Sequence, residues 1–304
     1  LKKEKKMKTK SILVAILICL MAVTNFASAD TIRGINMDFV TIGHADNSGD
    51  IRTEANPYGC GAVGYNYRIG KSEVTNAQWD AFTATVGAPS GTDGGYGLSS
   101  YWTGAQKPTN NISWYETAQF CNYLTSGDKS KGAYQFSGNN AYPGAFQGIN
   151  RAAAISAYGI AYVLPTEDEW YKAAYFKPDG SGYSFYANGT STAPVAGVQS
   201  NYNYAVGAPW NVETGTQEQN GTFDMMGNVW EWNETLVRSS FRGIRGGSYY
   251  YGDGYQLASS TRFYYSPLYP YNEDINFGFR VASIPEPATI LLLGLSAMIL
   301  RKKR

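Results

Sequence analysis

Few side chains in this sequence are equipped to carry out a reaction. Its 304 residues hold one histidine, His44, and three cysteines, Cys19, Cys60 and Cys121. A single imidazole excludes both a three-histidine metal centre and a facial triad of two histidines and a carboxylate. A Ser-His-Asp relay through His44 has no G-x-S-x-G elbow to present its nucleophile. Cys60 and Cys121 have two readings: a disulfide in an oxidising compartment, or two separate thiols, with Cys121 buried in an amphipathic helix. The run Glu167-Asp168-Glu169 offers carboxylates for acid–base work. The same three acids also complement the dipole of a helix that begins at Thr166, and this is the preferred reading.

Those residues are carried by elements with clear start signals. Met37–Ile42 and Tyr65–Gly70 read as strands. Thr75 or Asn76 caps a helix running to about Thr85. Ser113 and Glu116 form a capping box, as do Thr166 and Glu169: each hydroxyl accepts from the N3 amide, and each carboxylate accepts from the cap amide. Trp114, Ala118, Cys121 and Leu124 recur at helical spacing, which predicts one buried face. Residues 87–105 and 177–222 read as loops, rich in Gly, Ser, Asn and Thr. Residues 126–160 read as irregular, apart from a helical turn over Arg151–Tyr158. Residues 242–283 alternate Gly and Tyr with short apolar runs and read as strands joined by tight loops. The composition of 25 Tyr and 34 Gly with sparse charge favours a loop-rich fold over a helical bundle.

Three phrases keep one order: Gly227-Asn228-Val229-Trp230-Glu231-Trp232, then Arg245-Gly246-Gly247-Ser248, then Gly278-Phe279-Arg280. Glu73 to Trp79, Lys107 to Trp114 and Leu164 to Ala174 add further phrases of the same kind. Together they resemble the formylglycine-generating enzyme, or sulfatase-modifying factor, family. The resemblance covers residues 37–283 and implies an α+β fold, an elaborated C-type-lectin-like architecture low in regular secondary structure. It also implies copper-dependent oxidation of a protein cysteine by two cysteines after the Gly-Gly-Ser phrase. By the family's spacing those positions hold Tyr251 and Gln256 here. Neither supplies a thiolate for copper(I), so no copper and no catalytic residues are expected. His44 alone does not make the three-histidine iron site of the family's sulfoxide-synthase branch.

The resemblance further places a structural calcium ion beside the Gly-Asn-Val-Trp-Glu-Trp phrase. It assigns side-chain oxygens of Asp224 and Glu231 and carbonyls of Gly227 and Val229 as ligands, hard oxygens of the type calcium takes. A second calcium is implied at Asn201 and the Tyr202 carbonyl, with its other ligands unassigned. The alternative at Glu231 is an ion pair with a core arginine, Arg280 or Arg245. Trp230 and Trp232 read as core seals rather than the wall of a groove. The tyrosines of 249–271 read either as packing or as a surface for sugar or peptide.

Both ends read as addresses. Residues 1–29 carry a Lys-rich start, an apolar run from Ser11 to Val23 and Ala27-Ser28-Ala29, a cleavage pattern for an export signal. Residues 284–304 hold Ile284-Pro285-Glu286-Pro287, the apolar run Ala288 to Leu300 and a basic Arg301–Arg304 tail. This resembles a PEP-CTERM sorting signal and implies transient anchoring in the inner membrane before cutting by exosortase-type machinery. Thirteen helical residues span only ~20 Å, short of a ~30 Å hydrocarbon core. The domain plan is therefore 1–29, 30–283 and 284–304. Ten of the 25 basic residues but only one of the 24 acidic residues lie in the first ten and last four positions, so the body carries about −8. That balance excludes nucleic acid as a partner. The expected function is an exported, surface-associated bacterial protein with a non-catalytic domain for binding or structural work, toward exopolysaccharide or extracellular matrix. The competing expectation is an oxidoreductase acting on a sulfur-containing substrate.

Overall fold

A computed structural model describes residues 28–90, 96, 102–238, 240–250, 252–263 and 269–285. The N-terminal stretch read as an export signal, up to residue 27, and the C-terminal apolar run and basic tail lie outside the described residues. Strand β1 (Ser28–Ile32) turns through Arg33 and Gly34 into β2 (Ile35–Ile42). Both turn residues have positive φ, 51° and 84°, the geometry that matches a tight hairpin to strand twist. β3 (Tyr67–Gly70) follows, and then α1 (Asn76–Val86) and α2 (Trp114–Ser126). The hairpin β4 (Tyr134–Phe136) and β5 (Phe146–Ile149) leads to α3 (Arg151–Tyr158), β6 (Ile160–Val163) and α4 (Glu167–Tyr175). After a long loop come β7 (Trp230–Arg238), β8 (Phe241–Arg245), a 3-10 turn (Gly254–Leu257), β9 (Phe277–Gly278) and β10 (Ala282–Pro285).

The main sheet has the order β1-β2-β3-β10-β6, with every described pairing antiparallel. The last strand thus sits inside the sheet: Ala282 pairs with Ile69 on one side and with Val163 on the other. Its pairing runs on to Pro285 against Ile160, two residues past the domain boundary expected at 283. At the other end, Ser28 and Ala29, expected to leave with the export signal, pair with Phe39 and Asp38 in β1. A smaller sheet, β8-β7-β9, carries the Trp230–Trp232 phrase.

The helices start where their caps predict. Thr75, Ser113 and Thr166 each accept at the hydroxyl from the amide three residues on and donate their own amide to the side-chain oxygen of Gln78, Glu116 and Glu169. Thr75 rather than Asn76 caps α1; Asn76 instead donates to the carbonyls of Trp102 and Gly104. Helix α2 departs from the expectation of one buried face, because all its residues from Trp114 to Thr125 are buried. It is covered on several sides: it packs on α1, α3, β4 and β6, and Trp114 meets Tyr134 and Phe146 edge-on. The hairpin β4–β5, absent from the expected irregular stretch, supplies that cover. Trp79, Phe82, Phe120 and Phe279 form the aromatic centre where α1, α2 and the segment before β10 meet. Among the described residues, no helix is long and apolar enough to cross a membrane.

Candidate functional site

The turn that precedes β7 is built from backbone positions that few residues tolerate. Asp224, Gly227 and Asn228 have φ of 59°, 89° and 61°. A Cβ at Gly227 would stand 2.3 Å from the Asn201 carbonyl oxygen, so glycine is required by space as well as by φ. The Gly227 amide donates to the Gly246 carbonyl at 2.8 Å, and the Asn228 amide to the Asn201 carbonyl at 2.8 Å. The Tyr249 amide in turn donates to the Asn228 carbonyl at 2.8 Å. These bonds bring the first two phrases of the sequence signature and the 200–204 loop into one place. The third joins through Arg280.

Glu231 and Arg280 are both 0 % exposed and face each other in a bidentate pair. Arg280 Nε donates to Glu231 Oε2 at 2.6 Å and Nη2 to Oε1 at 2.5 Å. Trp170 Nε1 adds a bond to Oε2 at 2.7 Å. The remaining guanidinium hydrogens go to the carbonyls of Gly70, Lys71 and Phe223, tying β3, the turn and the last phrase together. Asp224 accepts from Trp210 Nε1 and from the Glu213 amide, each at 2.9 Å. Glu73 accepts from Asn228 Nδ2 at 2.6 Å and from the Val229 amide at 3.1 Å. Glu218 accepts from Thr222 Oγ1 at 2.8 Å and from the Met225 amide at 3.2 Å.

Four buried carboxylates therefore surround one guanidinium. Burial, with the charges of Asp224 and Glu231 behind it, pushes the Glu73 carboxyl well above the usual range. Burial raises Glu218 to about 8 and Asp224 to about 6. Partial protonation is how this interior accommodates its excess of acid.

The donors nominated for calcium, at Asp224, Gly227, Val229 and Glu231, are oxygens of the right chemistry. Among the described residues, no three His, Cys, Asp or Glu side chains are placed to share a metal ion. At Glu231 the alternative of a core arginine is what the side chains make, and the arginine is Arg280. Arg245 instead pairs with Glu167 at 2.6 Å. Asn201 lies against the same turn: its Nδ2 donates to the Ala208 carbonyl and to Asn228 Oδ1, while its buried Oδ1 has no hydrogen-bond partner. The Tyr202 carbonyl accepts from the Ala205 amide at 3.2 Å. The two calcium positions expected from sequence are thus neighbours around Asn228. The sequence nominates none of Glu73, Glu218 and Asn228 as a site residue. Glu73 carried a usable signal, as a carboxylate opening the phrase before a capped helix.

The other chemical residues are dispersed. Cys60 and Cys121 are both buried and free. Burial raises both thiols, and Cys60 lies in the field of Arg245, Glu167 and Asp168. Exposed His44 is held through Nε2 by the Pro178 carbonyl at 2.9 Å. Glu167, Asp168 and Glu169 go to separate structural partners: Arg245 and Arg262, the Gly61 amide, and Arg151 with Tyr65. Trp230 and Trp232 are fully buried, and Trp232 Nε1 donates to the Ile112 carbonyl. Of the two positions that stand for the oxidising cysteines, Tyr251 lies outside the described residues. Gln256 sits in the 3-10 turn with its Oε1 buried and without a hydrogen-bond partner.

Comparison with known proteins agrees with this arrangement. Residues 36–284 match the Sulfatase-modifying factor enzyme 1-like domain. The chain is 26% identical over 189 residues to the chaperone protein LppX of Paenibacillus barcinonensis, covering 55% of this chain and 61% of that protein's length. In structure it is similar to Treponema denticola variable protein 1, with a TM-score of 0.57 and 23% identity over 86% of this chain and 100% of the other. It is similar also to CarF, at 0.56 and 23% over 83% and 99%. PvdO from Pseudomonas aeruginosa gives 0.57 and 15% over 86% and 97%. At these identities the solved structures speak for the fold alone, and the match over 36–284 speaks for descent: the chain belongs to the sulfatase-modifying factor enzyme 1-like family and has its α+β, lectin-like fold.

Proposed function

We propose that this is an exported bacterial protein, placed at the cell envelope or outer surface, whose domain binds or scaffolds and does not oxidise. The observation that carries the reading is the placement of thiols. Tyr251 and Gln256 stand where the resemblance implies oxidising cysteines, and Cys60 and Cys121 are buried apart as free thiols. Thiolate is the soft ligand that copper(I) chemistry needs, and no pair of thiols is presented. Export rests on the two terminal segments, with exosortase-type machinery as the processing partner and transient membrane attachment through 288–300. Exopolysaccharide or extracellular matrix is the proposed ligand class. The test is incubation of the protein with copper(I) and a sulfatase-type cysteine peptide, followed by mass spectrometry for the aldehyde. The expected result is no aldehyde above a protein-free control; turnover would sink the proposal.

Structural calcium at Asp224, Gly227, Val229 and Glu231, with Asn201 and Tyr202 as a second position, belongs to the same proposal. In its favour stand the surplus of buried carboxylate over guanidinium and the unpartnered Asn201 Oδ1. Weighing against Glu231 as a ligand is its pairing with Arg280.

A further inference from the structure

The last strand of the main sheet runs almost to the C-terminal apolar segment. β10 pairs out to Pro285, against Ile160 of β6. Only Glu286 and Pro287 then separate it from Ala288, where the run to Leu300 begins. A chain extends at most about 3.6 Å per residue, so three steps leave the start of the run no farther than about 11 Å from Pro285. Headgroups add roughly 5–8 Å on each side of a ~30 Å hydrocarbon core. With the run in a bilayer, this tether holds the β10–β6 end of the domain against the headgroups. Two residues leave the domain little room to turn away.

The sheet order says which surface lies beside that exit. Ile160, the partner of Pro285, opens β6, and α3 ends two residues earlier at Tyr158. From Ala152 to Thr166 the sequence carries no charge. Tyr158 is 42% exposed, Ala153, Ser156 and Ala157 are exposed, and Ile155 is half-buried. An uncharged face gives up no hydrated charge on meeting lipid, and a tyrosine, apolar in its ring and polar at its tip, suits the headgroup level. The residues alone fit many partners; the tether names this one. We propose that α3, through Tyr158 and the Gly159 turn, is the face that the domain lays on the lipid surface while residues 288–300 are in the membrane. This rests on the proposed attachment through 288–300 and gives that attachment an orientation.

The experiment is hydrogen exchange read by mass spectrometry in vesicles of phosphatidylethanolamine and phosphatidylglycerol. It compares residues 28–304, which keep every described residue and leave out the other apolar run, with residues 28–287. Flotation with the vesicles first establishes that the longer chain is held and the shorter is not. The expected result is exchange over residues 152–160 slowed about fivefold in the held chain, with residues 76–86 of α1 alike in both. Twelve Gly and Ser residues inserted between Pro287 and Ala288 keep flotation and remove most of the slowing, because the tether then reaches about 20 Å farther. Ala157→Glu, which puts a charge on the face, does the same. Circular dichroism identifies a variant that fails to fold, and the lengthened tether, which alters no described residue, then decides alone. Equal exchange over 152–160 in the two chains, slowing confined to another surface, or slowing that survives either change overturns the orientation and leaves attachment intact. A longer chain that does not float overturns the attachment, and the proposal with it. Aldehyde formation in the copper assay overturns the non-oxidising reading and is seen independently of any vesicle.

Discussion

At the residue scale, the signature of the chain resolves into one charge arrangement. Glu231 was legible with Arg280 or Arg245 as its alternative partner; the choice of Arg280 was not, because 49 positions separate the two and only the fold makes them face. The consequence is a pH dependence. The carboxyl of Glu218 sits at about 8 when folded against an ordinary value of 4.5, so the folded state holds its proton over that interval and the unfolded state does not. Stability therefore falls as pH rises from about 4.5 to about 8, by at most about 1.4 kcal/mol per pH unit for each such group, and then levels off. Glu218→Gln keeps an acceptor for Thr222 and Met225 while removing the charge, and urea denaturation across this range should show a shallower slope than the parent. If calcium occupies the Asp224–Glu231 turn, EDTA lowers the melting temperature and added calcium restores it. An unchanged melting temperature removes the ion from the proposal.

At the element scale, helix starts were the most legible features, since a cap is a local device. Two capping boxes, at Ser113 and Thr166, act within four residues and appear where the sequence places them, and the structure adds a third at Thr75 with Gln78. Thr166→Ala should cost about 1 kcal/mol in urea denaturation, the usual worth of a cap. The loss stays at that size because Glu169 keeps its bonds to Arg151 and Tyr65. The hairpin β4–β5 was not legible. Its strands are short, its register shifts between Gln135 and Phe136, and Phe146 is placed by Trp114 and Tyr115 rather than by a local pattern.

At the scale of the whole molecule, closure depends on the last strand. β10 lies between β3 and β6, so its loss leaves β6 without a partner strand in the main sheet and turns β3 into an edge. A chain ending at Pro285 should unfold cooperatively in urea and give a near-ultraviolet circular dichroism signal. A chain ending at Val281 should do neither. The family motif gathers its three phrases for the same reason: segments far apart in sequence share the turn at Gly227, the Gly246 carbonyl and the Arg280 guanidinium.

By itself, the sequence determined the family, the α+β class, the capped helices and the absence of a cysteine pair after Gly247. Each of these is a matter of residue type and short-range order. Tertiary structure alone decided that Glu231 answers to Arg280, that four acids share one buried cation, and that the end of β10 meets the start of β6 beside α3. These depend on which distant backbones meet, and on how far water is kept from a charge.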